Sequence, residues 1–228
     1  MTSALVTGAS RGIGRATATL LARRGVSLAL VGRPSKELDE SVALAREAGA
    51  PEAAAFACDL ADTASVEAAA YAVLSQFPAL GVLVNNAGVA PRVSIEETRN
   101  DVWEETLAVN LRAPFLLTRA VLPTMRRNAR GRIVHVGSIS STLGTPRLAA
   151  YCASKWALVG FMKSLAEELS GSGVTTVAVL PGSTATRMLE GSGMPPRMSA
   201  EEVAETIVHY ALDASPAHNG AAIEMFGT

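Results

Sequence analysis

Short apolar runs alternate with helix-length segments along the whole chain. Ala4–Val6 leads into a helix over Arg15–Arg24, with Gly25 where a left-handed C-cap residue belongs. Val26–Val31 precedes a helix over Ser35–Ala48 closed by Gly49, and Ala54–Cys58 precedes Thr63–Phe77, for which Asp62 is the N-cap. Val82–Val84 precedes one long helix over Asp101–Arg127, and Ile133–Val136 precedes another over Ala149–Ser170. Val174–Leu180 leads through an irregular stretch, Pro181–Ser199, to Ala200–Asp213, and Ala221–Met225 is the last run. The pattern predicts seven strands and six main helices. Runs this short and this uniformly apolar are strands covered on both faces, and helical crossovers between them make the sheet parallel and doubly wound. The pattern shows no internal repeat and no dividing linker, so residues 1–228 read as a single domain. Pro181–Ser199 is a long loop with glycine and proline gathered between Gly191 and Pro196, which makes residues 183–199 a candidate lid.

Composition narrows the classes. Hydrophobic residues are 49% of 228 and charged residues 18%, enough apolar material for a large interior. A formal net charge of -1 gives no general attraction for nucleic acid or anionic membrane. No apolar run is long enough to span a bilayer and no charged-then-apolar leader precedes the first strand, which points to a cytoplasmic protein. Two cysteines, Cys58 and Cys152, make no disulfide framework, and His135, His209 and His218 lack metal-ligand spacing. His135 alternates with apolar neighbours and reads as a satisfied strand residue; Trp103 and Trp156 read as packing residues.

Thr7-Gly8-Ala9-Ser10-Arg11-Gly12-Ile13-Gly14 joins the first strand to the first helix. Glycines there let a pyrophosphate approach the helix N-terminus, where unpaired N–H groups favour an anion. A P-loop is excluded because no Gly-Lys-Ser/Thr follows, and Ser138 lacks the later glycine of a nucleophile elbow. The spacing, glycine at positions one, five and seven, resembles the opening motif of the short-chain dehydrogenase/reductase family. The resemblance continues through Asn85-Asn86-Ala87-Gly88, Asn110, Ser138, Tyr151-x-x-x-Lys155, and Pro181-Gly182 with Thr184 and Thr186 beyond. It implies a Rossmann-type α/β fold with a seven-stranded parallel sheet and helices on both faces. It also implies an oxidoreductase that interconverts a carbonyl and a secondary alcohol.

Tyr151 and Lys155 share one helix face. A free phenol, with a pKa of about 10, is a poor base at neutral pH, and a neighbouring ammonium lowers that value. Lys155 is therefore expected to bring Tyr151 down towards useful proton exchange, and the resemblance adds contacts from both residues to the nicotinamide ribose region. Ser138, thirteen residues before Tyr151, is expected to steady the substrate oxygen; its plainer role is to satisfy backbone at a strand end. Pro114, four residues after Asn110, denies the Asn110 carbonyl its helical donor. A kink with packing, and a carbonyl free to hold a proton-relaying water as in the family, both fit. The expected catalytic set is Asn110, Ser138, Tyr151 and Lys155.

The second strand ends Val31-Gly32-Arg33, with Gly32 where an NAD site would carry an acid. Arg33 and Arg11 suit a 2′-phosphate, so the cofactor is expected to be NADP(H); Arg33 stacking on adenine is the alternative. Resemblance places Asp59 and Leu60 against adenine. The expected cofactor residues are thus Gly8, Ser10, Arg11, Gly12, Ile13, Gly14, Arg33, Asp59, Leu60, Asn86, Ala87, Gly88, Tyr151, Lys155, Pro181, Gly182, Thr184 and Thr186.

Ser138–Pro146, Val89–Val93 and the segment around Met188, Leu189 and Met194 would wall a pocket that is largely apolar, apart from Arg92 and Arg147, for a small-molecule or acyl-thioester substrate. Reduction of a 3-oxoacyl thioester is the leading candidate within the family. Arg126, Arg127, Arg130 and Arg132 form a basic run that suits an acidic carrier protein or, equally, a helix C-terminus. Gly171-Ser172-Gly173 lacks a basic residue that many such reductases carry there, and Phe226-Gly227-Thr228 lacks an Asp-Gly-Gly tail. A homodimer or homotetramer is expected, the dimer through the two long helices. The rival reading from another class is a non-catalytic NADP(H)-binding regulator.

Overall fold

A computed structural model describes residues 2–227; Met1 and Thr228, the two ends of the expected domain, lie outside the described residues. Seven strands form one sheet: β1 (Ser3–Thr7), β2 (Ser27–Gly32), β3 (Ala53–Ala57), β4 (Leu80–Asn85), β5 (Gly131–Val136), β6 (Val174–Pro181) and β7 (Ala222–Met225). Their order is β3-β2-β1-β4-β5-β6-β7, every pair parallel. The helices are α1 (Gly12–Arg23), α2 (Lys36–Glu47), α3 (Thr63–Gln76), α4 (Asn100–Leu107), α5 (Ala113–Arg127), α6 (Ala149–Glu168) and α7 (Ala200–Leu212). This is the doubly wound Rossmann fold that the alternating pattern predicts.

The uniform apolarity of the strands has a direct cause. Ala4, Val6, Leu28, Leu30, Val82, Val84, Val134 and Val136 face a core shared with α1, α2 and α7. The alternate residues Leu5, Ala29, Val31, Leu83 and Ile133 face a second core with α3, α5 and α6. Period-two alternation therefore carries no polar face. Each fully buried leucine of this kind contributes about 1.5–3 kcal/mol against exposure.

Boundaries depart from the sequence reading where tertiary contacts override propensity. Helix α1 begins at Gly12, three residues before the expected start, because two poor helix formers are held in its first turn by the strand-to-helix turn. Strand β3 is one residue earlier than expected. The single helix expected over 101–127 is divided: Ala108–Arg112 forms a π turn, with the Ala113 N–H donating to the Ala108 carbonyl five residues back. Trp156 is 53% exposed on α6, so it does not pack in the core. No described helix is long and apolar enough to cross a membrane. No cluster of three or more His, Cys, Asp or Glu side chains is placed to hold a metal among the described residues.

The sheet order reverses between β1 and β4. The carboxyl ends of these two strands thus open a crevice, the usual position for a ligand in such sheets.

Candidate active site

At the end of β1 the chain turns through Gly8 (φ +64) and Gly12 (φ +53), a left-handed backbone that side chains resist. A Cβ on Gly14 would lie 2.2 Å from the Gly8 carbonyl oxygen and 2.6 Å from Asn86 Nδ2. The turn is thus as tight as a main chain permits. Arg11, the α1 N-cap, is extended and its side chain caps nothing, and no acid stands in the first turn. These N–H groups suit an anionic ligand. Among the expected cofactor residues, Asn86 braces the turn from β4, donating from Nδ2 to the carbonyls of Thr7 (2.8 Å) and Gly8 (3.3 Å). The Thr7 hydroxyl accepts from the main chain of Asn86 and Ala87, both at 3.0 Å. Ser10 is half-buried, and its carbonyl accepts from Arg15; Ile13 is half-buried against α7.

Tyr151 and Lys155 lie one turn apart on the buried face of α6, 7% and 3% exposed. Lys155 Nζ donates to the Val136 carbonyl at 2.8 Å and lies 5.7 Å from the centre of the Tyr151 ring. Burial lowers the Lys155 pKa to about 8. Burial also raises that of the Tyr151 phenol; the Ser138 hydroxyl and Arg92 guanidinium oppose the rise and Cys152 adds to it. The expectation that Lys155 lowers the phenol is therefore not met in this structure: desolvation is the largest influence, and Lys155 is not among the opposing groups.

Ser138 follows β5 and caps a short 3-10 turn at Ile139–Ser141, its Oγ accepting from the Ser140 N–H at 3.1 Å. Its plainer backbone role is thus real, and the same hydroxyl faces the tyrosine. Asn110 lies in the π turn, wholly buried. Its Oδ1 accepts from the Val89 N–H, and its Nδ2 donates to the Val89 carbonyl and the Ser154 hydroxyl, each at 2.9 Å. Ser154 in turn donates to the Tyr151 carbonyl at 2.7 Å. A Cβ on Gly88 would stand 3.3 Å from Asn110 Oδ1 and 3.5 Å from Lys155 Nζ, which places the strand-four motif against the expected catalytic group. All four expected catalytic residues meet at the carboxyl ends of β4 and β5.

At the outer end of the crevice, Gly32 is buried, and a Cβ there would make only ordinary contact with Leu38, at 3.7 Å. Arg11 and Arg33 are exposed, with no carboxylate within 4.0 Å among the described residues. Glu37 is held below the ordinary carboxyl range, chiefly by its own main-chain N–H and the Ser35 hydroxyl, and further by Arg11 and Arg187. Asp59 is exposed, its Oδ1 accepting from the Ala61 N–H, and Leu60 is half-buried beside it. On the far side, Pro181 ends β6 and the Gly182 N–H donates to the Met225 carbonyl at 2.8 Å. Thr184 bridges to Met198 at the base of the irregular segment, and Thr186 stands 3.2 Å from where a Gly12 Cβ would be. That segment thus crosses directly over the glycine turn.

Sequence reasoning missed several groups. Arg15 ties the turn to α2, donating to the carbonyls of Ser10 (2.6 Å) and Glu37 (2.8 Å) and to Ser41 Oγ (2.9 Å). Ser154, three residues after Tyr151 on one helix face, was findable from that spacing. Arg187, whose charge acts on Glu37, was not, because that neighbour comes from a distant segment. His135 is buried but not satisfied: Nδ1 lies 3.2 Å from Asn85 Nδ2, while Nε2 and Asn85 Oδ1 have no partner. Burial, with the Lys155 charge, lowers its pKa to about 3, so it stays neutral. The basic run also disperses. Arg126 donates to the Glu168 carbonyl, whereas Arg132 donates to Thr175 Oγ1 and the Ala214 carbonyl.

The fold and this crevice define a dinucleotide-dependent oxidoreductase, and comparison with known proteins agrees. The family model described as short chain dehydrogenase matches residues 2–195. The chain is 38% identical to D-threitol dehydrogenase of Mycolicibacterium smegmatis, covering 98% of this chain and 91% of that protein. It is 36% identical to a 3-oxoacyl-[acyl-carrier-protein] reductase of Synechocystis, covering 94% of this chain and 91% of the relative. Among solved structures, a protein assigned as an NAD(P) dependent gluconate 5-dehydrogenase from Beutenbergia cavernae, with bound NADP, superposes with a TM-score of 0.92. It is 33% identical and the match covers 99% of this chain and 95% of that one. The chain belongs to the short-chain dehydrogenase family.

Proposed function

We propose that this chain is an NADP(H)-dependent enzyme that interconverts a carbonyl and a secondary alcohol, with Tyr151 transferring the proton. One observation carries the reading: Asn110, Ser154 and Tyr151 form a hydrogen-bonded buried chain, with Lys155 one helix turn from the phenol and Ser138 beside it, in the same crevice as a glycine turn that excludes a side chain at Gly14. The glycine turn and the uncapped first turn of α1 would hold the cofactor phosphates. Arg11 and Arg33 would hold the 2′-phosphate. Asp59 and Leu60 would border adenine, and Thr184 and Thr186 the nicotinamide end. When bound, the nicotinamide supplies or accepts the hydride.

The rest is the work of side chains. A phenol kept protonated by burial is a proton donor, so at neutral pH Tyr151 is set to protonate the oxygen of a carbonyl being reduced. Ser138 donates a second hydrogen bond to that oxygen as charge develops. Lys155, with a pKa near neutrality, is suited to resupply the proton.

Residues 1–228 work as one catalytic unit in this reading, with 183–199 as a lid over the turn. A homodimer or larger homo-oligomer is supported by Phe115 on α5 and Trp156 on α6, both exposed. A carrier-bound 3-oxoacyl thioester is a weaker substrate candidate than a free small molecule, because Arg126 and Arg132 already serve carbonyls and a hydroxyl of the fold. The test is NADPH oxidation by purified protein against polyol-derived ketones, keto acids and 3-oxoacyl thioesters. Tyr151→Phe is expected to keep NADPH binding and lose turnover by ~10²–10⁴-fold; turnover near wild type in that variant refutes the assignment.

A further inference from the structure

Three charged side chains lie on the two segments that flank the catalytic group: Arg92 and Glu97 beyond β4, and Arg147 just before α6. Two of them are paired. Glu97 accepts from the Ser94 hydroxyl at 2.8 Å, and Arg147 approaches Glu97 to 3.9 Å. Arg92 is half-buried and has no carboxylate within 4.0 Å among the described residues.

Its segment is not a loose loop. Val89 is gripped through both its N–H and its carbonyl by the Asn110 side chain. Four residues on, the Val93 N–H donates to the Arg147 carbonyl at 2.9 Å. Arg147 adopts φ +61, a left-handed conformation that costs a non-glycine residue about 1 kcal/mol or more. It does so two residues before α6 begins, joining Val93 to the helix that carries Tyr151. Arg92 therefore stands on a platform fixed at one end to Asn110 and at the other to the start of the helix that carries Tyr151, and its guanidinium opposes the rise of the Tyr151 pKa.

A half-buried guanidinium with no carboxylate partner, on a segment tied to the catalytic group, is free to take an anionic group of a substrate. One planar, forked donor set matches one planar carboxylate. A phosphate dianion would call for a second half-buried cation beside Arg92, whereas Arg147 is 62% exposed and faces Glu97 at the surface. We infer that the substrate is a keto acid, or the hydroxy acid formed from it, whose carboxylate pairs with Arg92 while its carbonyl meets Tyr151 and Ser138. This rests on the assignment of Tyr151 above. It separates the substrate from neutral polyols and from thioesters, which carry no charge close to the reacting carbon.

The experiment compares acetoacetate and levulinate with their methyl esters, using wild type, Arg92→Gln and Arg92→Lys with NADPH. Wild type is expected to favour at least one acid over its ester by roughly 10–100-fold in kcat/KM, the factor given by a hydrogen bond to a charged group. Arg92→Gln is expected to collapse that ratio mainly through KM, and Arg92→Lys to restore part of it. A ratio unchanged in Arg92→Gln overturns the proposal, since an influence exerted through the Tyr151 phenol would scale acid and ester together. Should wild type reduce neither compound, the catalytic reading is in question. Calorimetric binding of levulinate to the NADPH complex, wild type against Arg92→Gln, then decides the Arg92 site by itself, and equal affinity counts against it.

Discussion

Lys155 should cost this protein stability at neutral pH. The residue is 3% exposed, and its ammonium donates to a neutral carbonyl, that of Val136. Lowering its pKa from 10.5 to about 8 corresponds to about 3 kcal/mol against the folded state, at ~1.4 kcal/mol per tenfold change in acidity. The sign follows from proton binding. Between pH 8 and 10.5 the folded chain holds fewer protons than the unfolded one, so stability rises with pH across that window; below pH 8 the full cost is present.

Replacing Lys155 by Met removes the charge at similar length and leaves the Val136 carbonyl unpaired, which costs about 1–2 kcal/mol. The net gain at pH 7 is then about 1–2 kcal/mol, or a Tm raised by roughly 2–8 °C for a chain of this size. The assay is thermal unfolding of the cofactor-free protein at pH 7 and pH 10, with turnover measured in parallel. The variant should be more stable at pH 7, lose that advantage by pH 10, and have little activity. A variant less stable than wild type at pH 7, or a gap equal at both pH values, refutes the reasoning.

The remaining predictions concern the cofactor crevice. Arg33→Ala should weaken NADPH by roughly ten- to a hundredfold, since a hydrogen bond to a charged group is lost, while NADH responds much less. Gly32→Asp, for which Leu38 leaves room, should shift preference towards NADH; a wild type that already prefers NADH by kcat/KM sinks the 2′-phosphate assignment. Gly14→Ala must displace the Gly8 carbonyl or Asn86, at a cost of about 1–3 kcal/mol for overpacking, and should weaken NADPH in a fluorescence titration more than it lowers Tm. Hydrogen exchange in 183–199 should slow when cofactor and substrate bind together; equal rates with and without both ligands would dismiss the lid.

The strands were legible because burial on both faces leaves an apolar run bounded by turns, and that signal needs no knowledge of partners. The glycine turn and the Tyr151/Lys155 spacing were legible because their chemistry is local. What escaped was whatever depends on a second segment. Pro114 marked a disturbed helix, yet the π turn over 108–112 also depends on how Asn110 is gripped by Val89. Helical spacing set Lys155 beside Tyr151 but said nothing of desolvation, which raises the phenol instead of lowering it. The pattern at Trp156 read as packing because an apolar residue on a helix carries no mark of the face it occupies.

Asn110 shows how the local and the distant combine in one residue. Both Nδ2 protons are engaged, with Val89 and Ser154, and Oδ1 accepts from Val89. The side chain is thus committed to holding two segments: the one that carries Arg92 and the helix that carries Tyr151. Its own main-chain carbonyl is the group that Pro114 deprives of an i+4 donor, in a turn whose register is already π rather than α. The amide fixes the walls of the crevice, and under the proposed function the carbonyl, without its i+4 donor, is the group that would accept from a proton-relaying water. On that proposal a residue identified from its position in the chain would act through two different groups: its side chain sets the geometry, and its backbone would take the chemical role.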